Sequence, residues 1–305
     1  MKLYIKTPFY DNNKYLPHLL EHCVCFSFER DALFTYFADV EWGTTYGYTD
    51  FEFYTPLSLS NIIHKITQPV SKETFFFQKK IIADELREAS YSQKLREKFN
   101  QILEGNVHIR ANNVPKGITL ALLTEYQKKW YQEKHMLAVW EDNQIDFGFW
   151  KWKKLKSLKG KWDIKRMGIQ HMTYKGDKYS LLFCRYHNAS DILFLDFFEW
   201  FVTDFLFWKQ TQEKKYFRDD IDITLTDSYF FLSAYEVAFP KVIDEDFFVF
   251  YKNRYLEKLS HKQLRGFIPP IALYTEEYAT VEEHQNFVKT ITYQDIQMML
   301  DTIIC

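Results

Sequence analysis

Two histidines four residues apart with a glutamate between them, His18-Leu19-Leu20-Glu21-His22, form the stretch of this chain best suited to chemistry. At 3.6 residues per turn, His18 and His22 project from one face of a helix with Glu21 beside them. Two imidazoles so placed can hold zinc, while the carboxylate stays free to take a proton from water activated by the metal. The order H-x-x-E-H inverts the more familiar H-E-x-x-H zinc peptidase signature. Nine histidines in 305 residues give about 0.02 such pentapeptides by chance, so the motif carries weight against the alternative of two surface histidines on a helix.

Such a site needs a helix for the histidine pair, a third ligand from elsewhere and an open position for substrate. Pro17 suits the first turn of the helix. Downstream, Thr74 to Leu103 reads as a long amphipathic helix, with Phe75, Phe76, Ile81, Ile82, Leu86, Leu95, Phe99 and Leu103 on one broad buried face. Asp84, Glu85 and Glu88 on it are candidate third ligands. Glu85 and Glu88 lie one turn apart, so one can reach the metal while the other supports it from behind. Without the histidine pair each would read as a solvated helix charge.

The run Leu16-Pro17-His18-Leu19-Leu20-Glu21-His22 resembles the zinc helix of the M16 peptidases, the insulinase, pitrilysin and mitochondrial processing peptidase group. Family members follow it with a strand of the form Asn-Ala-x-Thr-x-x-Asp/Glu, and Tyr46-Gly47-Tyr48-Thr49-Asp50-Phe51-Glu52 stands in the corresponding place. Their third ligand lies in a "Glu-Ile" helix segment that Ile81-Ile82-Ala83-Asp84-Glu85-Leu86 resembles, which gives the role to Glu85 with Glu88 as the fallback. The stretches Leu123 to Tyr131 and His135 to Trp140 resemble the helix and strand near the end of the family's first domain, with Thr124 as N-cap. The resemblance implies an α+β chain of two homologous M16-type α/β domains, forming one half of a clamshell. It also implies Zn²⁺ on His18, His22 and Glu85, Glu21 as the base, and an extended peptide substrate against Gly47, Tyr48 and Thr49.

Some positions depart from the family pattern. Gln78 stands seven residues before Glu85, where a supporting Glu is usual, and Tyr46 replaces the substrate-strand Asn. So few residues precede the motif that the family's opening strand is expected to be missing or abbreviated. The family's second domain supplies an Arg and a Tyr that contact the peptide. Phe217-Arg218 resembles the start of that motif, but the expected tyrosine is Thr226, with Tyr229 the nearest substitute.

A length of 305 residues with 47% hydrophobic content and a net charge of −2 describes a globular protein of about two domains and offers no reason to invoke nucleic acid. The basic, Gly-bearing stretch Lys151 to Lys161 is the expected connector between a zinc-binding domain, 1–150, and a second M16-like domain, 162–305. Thr124 and Thr292 each open a helix near the end of a half, a faint echo of duplication. The aromatic run Asp191 to Trp208 carries Asp191, Asp196, Glu199 and Asp204, so it reads as a core helix rather than a membrane span. Part of it, Phe197 to Trp208, is also a candidate docking face. Cys23, Cys25, Cys184 and Cys305 lack paired zinc spacing and, with no secretion signal at the N-terminus, suggest a cytoplasmic protein with reduced thiols.

These readings converge on a zinc metalloendopeptidase for small or extended peptides, with leader-peptide processing as a role. The competing reading is a non-catalytic M16-like subunit that shapes the chamber of a heterodimeric peptidase. Either way the chain is expected to pair with a second M16-like chain, with a homodimer as the alternative.

Overall fold

The computed structural model describes residues 1–8, 15–29, 40–44, 47–54, 58–88, 117–141, 147–149, 156–158, 160–174, 179–212, 221–225, 229–235, 239–261 and 268–304. The chain is α+β and divides into two compact units, Met1–Asp142 with Phe147–Lys153, and Asn143–Asp146 with Lys154–Cys305.

The first unit is a five-stranded sheet with helices on one face. Its elements run β1 (Lys2–Lys6), α1 (Leu16–Glu29), β2 (Val40–Thr44), β3 (Tyr48–Phe53), α2 (Leu59–Ile66), α3 (Lys72–Glu88), α4 (Leu120–Trp130), β4 (Met136–Glu141) and β5 (Phe147–Phe149). Strand order is β2-β3-β1-β4-β5. Period-two alternation sends Leu3 and Ile5 of β1, Phe51 and Phe53 of β3, and Met136 and Ala138 of β4 into one core. The facing stripe of α1 is Leu16, Leu19, Leu20, Cys23 and Val24 at helical spacing, all buried. Packing that stripe on the sheet leaves His18 and His22 on a neighbouring face of α1, turned toward α3.

The opening strand, expected to be missing or abbreviated, is present as the five-residue β1, which is central and paired antiparallel with β3 and with β4. Thr124 does not cap α4. Thr119 does, accepting from the Leu122 amide, while Thr124 sits inside the helix and donates to the Leu120 carbonyl. On α3, Phe75 and Ile82 are buried as expected but Phe76 is 58% exposed, because neighbouring side chains on a helix point about 100° apart. The expected continuation through Leu95, Phe99 and Leu103 lies outside the described residues, as do Tyr46, Arg218, Thr226 and the connector from Lys151 to Leu155.

The second unit comprises β6 (Lys156–Ser157), β7 (Gln170–Tyr174), β8 (Tyr179–Arg185), α5 (Ala189–Gln212), β9 (Ile221–Leu225), β10 (Tyr229–Tyr235), α6 (Glu245–Ser260), α7 (Ile268–Thr275), β11 (Glu277–Tyr278), α8 (Val281–Thr290) and α9 (Tyr293–Ile304). Its main sheet has the order β7-β8-β10-β9. The succession strand, helix, hairpin occurs in both units, as β1-α1-β2-β3 and as β8-α5-β9-β10. In each, the second hairpin strand returns antiparallel to the strand that preceded the helix.

Helix α5 occupies the structural place of α1 but is buried on almost every side, against α6, α7, α8 and β10. Phe197, Phe201 and Phe205 repeat every four residues and meet Phe247, Phe248 and Tyr251 edge to face. The run from Phe197 is therefore core rather than a docking face, with only Phe207 and Trp208 exposed among its large apolar side chains. Thr292 caps α9 as expected, accepting from the Asp295 amide. Among the described residues, no helix is long and apolar enough to cross a membrane.

Candidate metal centre

Helix α1 presents His18 and His22 one turn apart, and α3 crosses beside it to present Gln78 and Glu85. The two Nε2 atoms are 3.0 Å apart. One Glu85 oxygen, Oε2, lies 3.7 Å from His18 Nε2 and 3.6 Å from His22 Nε2. Tetrahedral zinc with bonds near 2.0–2.1 Å sets ligand atoms about 3.3 Å apart, so the three donors already stand close to the required triangle. Among the described residues no other group of three or more His, Cys, Asp or Glu side chains converges in this way.

The second nitrogen of His22, Nδ1, lies 3.3 Å from the Gln78 amide oxygen. That oxygen can only accept, so Nδ1 carries the proton and Nε2 keeps its lone pair for a metal. Burial, and then the neighbouring His22, lower the His18 pKa to about 4, which leaves this imidazole neutral and able to ligate at ordinary pH. Glu85 is half-exposed, so the cluster opens to solvent on its side. The Glu88 side chain lies outside the described residues.

Glu21 is 3% exposed on the sheet side of the pair. Burial pushes its pKa up to about 7; a hydrogen bond from Thr44 opposes the shift, and Glu85 and Asp50 add to it. A dication nearby would favour the ionised carboxylate. Behind Glu21, the hydroxyls of Thr44 and Thr7 each lie 3.1 Å from that of Thr49. The buried Tyr131 hydroxyl sits beside Thr49 and Glu21 but outside hydrogen-bonding geometry, and burial together with the Glu21 charge raises its ionisation well above the ordinary value. No sequence signal marks this group, since Thr7, Thr44 and Thr49 meet only when β1, β3 and β2 pair.

Gly47, Tyr48 and Thr49, the residues the resemblance assigns to substrate, lie at the start of β3. Strand β3 is an inner strand: β1 pairs with Tyr48 and Thr49 on one side, and β2 pairs with Thr49 on the other. The Gly47 carbonyl accepts from the Thr7 amide at 3.0 Å. Tyr48 and Thr49 are buried. Among the described residues the outer edge of the sheet on this side belongs to β2.

No protein-family model matches the sequence, and no curated protein matches it. Solved structures do share the fold. The first half of the periplasmic protease PqqL from Escherichia coli aligns over 99% of this chain and 84% of its own, with a TM-score of 0.52 and 12% identity. The chain has the fold of that protease half. A protein from Yersinia pestis described as a predicted insulinase family protease covers 99% of this chain and 83% of its own at a TM-score of 0.46 and 12% identity. The ferredoxin protease FusC covers all of this chain and 43% of its own at 0.49 and 10%. The fold statement rests on the first of these three.

Proposed function

We propose that this chain is the zinc-bearing half of a metallopeptidase acting on extended peptides. The observation that carries the reading is the convergence of His18, His22 and Glu85 within 4.8 Å of one another, with Glu21 on the same helix turn. His18, His22 and Glu85 would hold the ion, which when bound acidifies water and polarises a peptide carbonyl. Glu21 takes the proton of the attacking water on a carboxylate oxygen and delivers it to the leaving amine. Burial suits this cycle, since a carboxylate whose proton affinity is raised toward neutrality can both accept and return a proton.

An extended peptide would add as a strand along the β2 edge, held by main-chain hydrogen bonds that read extension more than sequence. We read the first unit as the zinc-binding domain and the second as its degenerate counterpart, since Ala189 to Gln212 presents no histidine where α1 presents two. Because the fold is that of one protease half, the working enzyme would enclose substrate by pairing with a second chain of similar fold, with Arg218 offered to the peptide. The buried thiols of Cys23, Cys25 and Cys184 suit a reducing compartment such as the cytoplasm.

Metal analysis of the purified chain tests the reading. One zinc per chain, lost on His18→Ala or His22→Ala, supports it, whereas a chain that takes up no zinc from a stoichiometric supply contradicts it.

A further inference from the structure

Beyond His22, the groove between α1 and α3 turns apolar. His18, His22 and Phe26 recur every four residues along α1, and Phe77, Ile81 and Glu85 do so along α3, so each helix contributes one stripe. The stripes run antiparallel. Glu85 reaches His18 and His22, Gln78 meets His22, and the Phe26 and Phe77 rings lie 5.1 Å apart, tilted by 32°. Four residues of helix rise about 6 Å. The ring pair therefore stands one turn along the groove from the histidine nitrogens that face Glu85.

The pair is open to solvent as well as close to the candidate metal centre. Phe77 is 50% exposed, and His18, His22, Phe26 and Ile81 are each partly exposed. The side chains of Phe26, Phe77 and Ile81 can neither ionise nor form ordinary hydrogen bonds, so what they can recognise is apolar area. Strand β2 packs against α1, and a peptide on its edge passes beside that helix. On an extended peptide, side chains on one face recur about every 7 Å, close to the step from His22 to Phe26.

We propose that Phe26 and Phe77, with Ile81 beside them on α3, form an apolar subsite that selects a large aliphatic or aromatic side chain within about two residues of the scissile bond. This rests on the peptidase reading above. The competing account is that the pair only holds α1 against α3. Its loss would then lower stability and zinc affinity without regard to peptide sequence.

The probes are internally quenched unstructured peptides of one background sequence, in which Phe, Leu, Ala or Asp stands at one position at a time, with cleavage sites read by mass spectrometry. The zinc-loaded wild-type chain should prefer Phe or Leu over Ala by at least about tenfold in kcat/KM at one position near the cut. Phe77→Ala should shrink that preference to within about threefold at the same zinc content. Phe76→Ala, which removes a similarly exposed ring about 100° round the helix, should keep it. Titrated against zinc-loaded Glu21→Gln, which is expected to bind without turning over, the same peptides should show the preference in Kd and lose it when Phe77→Ala is added. If Phe77→Ala does not fold, Phe26→Ala takes its place, with the same loss expected. No apolar preference, a preference that survives the loss of the ring, equal losses in Phe76→Ala and Phe77→Ala, or a fall in zinc content alongside would each overturn the proposal. A wild-type chain that cleaves none of the peptides, while binding keeps its Phe77-dependent preference, sinks the peptidase reading and leaves the subsite standing as a peptide-binding one.

Discussion

The Gln78 amide oxygen lies 3.3 Å from Nδ1 of His22, on the far side of the ring from the nitrogen that faces His18 and Glu85. A neutral amide thus orients the imidazole where a carboxylate would also raise its basicity. Gln78→Leu should weaken zinc affinity about 10- to 100-fold, and Gln78→Glu should hold or strengthen it. Competition with a chromophoric chelator measures both, and equal affinities in all three proteins would remove Gln78 from the site.

The ligand set makes a graded prediction. His18→Ala and His22→Ala should abolish stoichiometric zinc, Glu85→Ala should weaken binding strongly, and Glu88→Ala only modestly. The reverse order for the two glutamates, read by the same chelator competition, would transfer the third position to Glu88.

The core of the second unit should be sensitive to pH. Burial raises Asp196 from 3.8 to about 7, against the opposing bonds from Tyr255 and Trp200. Burial and then Asp196 raise Glu199 to about 8. Tyr255 donates to Asp196 at 2.8 Å, and Asp204, Tyr251, Arg254 and Lys258 are the other charged or titratable groups in play. A carboxyl with a raised folded-state pKa binds more proton folded than unfolded. Its contribution is complete below about pH 4 and is lost as pH rises through 7 to 8, at up to about 1.4 kcal/mol per pH unit for each group. The pair titrates together. Urea midpoints should therefore fall more between pH 5 and pH 8 in the wild type than in Asp196→Asn; parallel curves would count against a shared buried proton.

A chain with the fold of one protease half should be a slow enzyme alone. Light scattering of the purified chain, with and without a co-expressed chain of similar fold, should show association and a gain in turnover of at least about tenfold, the smallest effect that positioning by a partner would produce. A stable monomer with full activity would remove the chamber from the account.

What could be read in advance depended on how local the signal was. His18, Glu21 and His22 share one helical turn, so their common placement follows from helix geometry alone. Glu85 came from a resemblance, and the crossing of α3 beside α1 brings it to the pair. Gln78, flagged as a departure, turns out to hold His22. What depended on strand pairing was hidden. Neither the inner position of β3 nor the meeting of Thr7, Thr44 and Thr49 leaves any trace in spacing along the chain. Thr124 has the residue type of a cap, but the apolar run Leu120 to Leu123 before it already belongs to the helix that Thr119 opens.

The central claim is that Glu21 moves the proton at a zinc site. Turnover of quenched unstructured peptides by the zinc-loaded chain, wild type against Glu21→Gln, tests it most directly. The substitution keeps size and all three ligands, so the variant should hold one zinc per chain and lose at least about 100-fold in kcat. Equal turnover in the two proteins, with equal zinc content, would contradict the account.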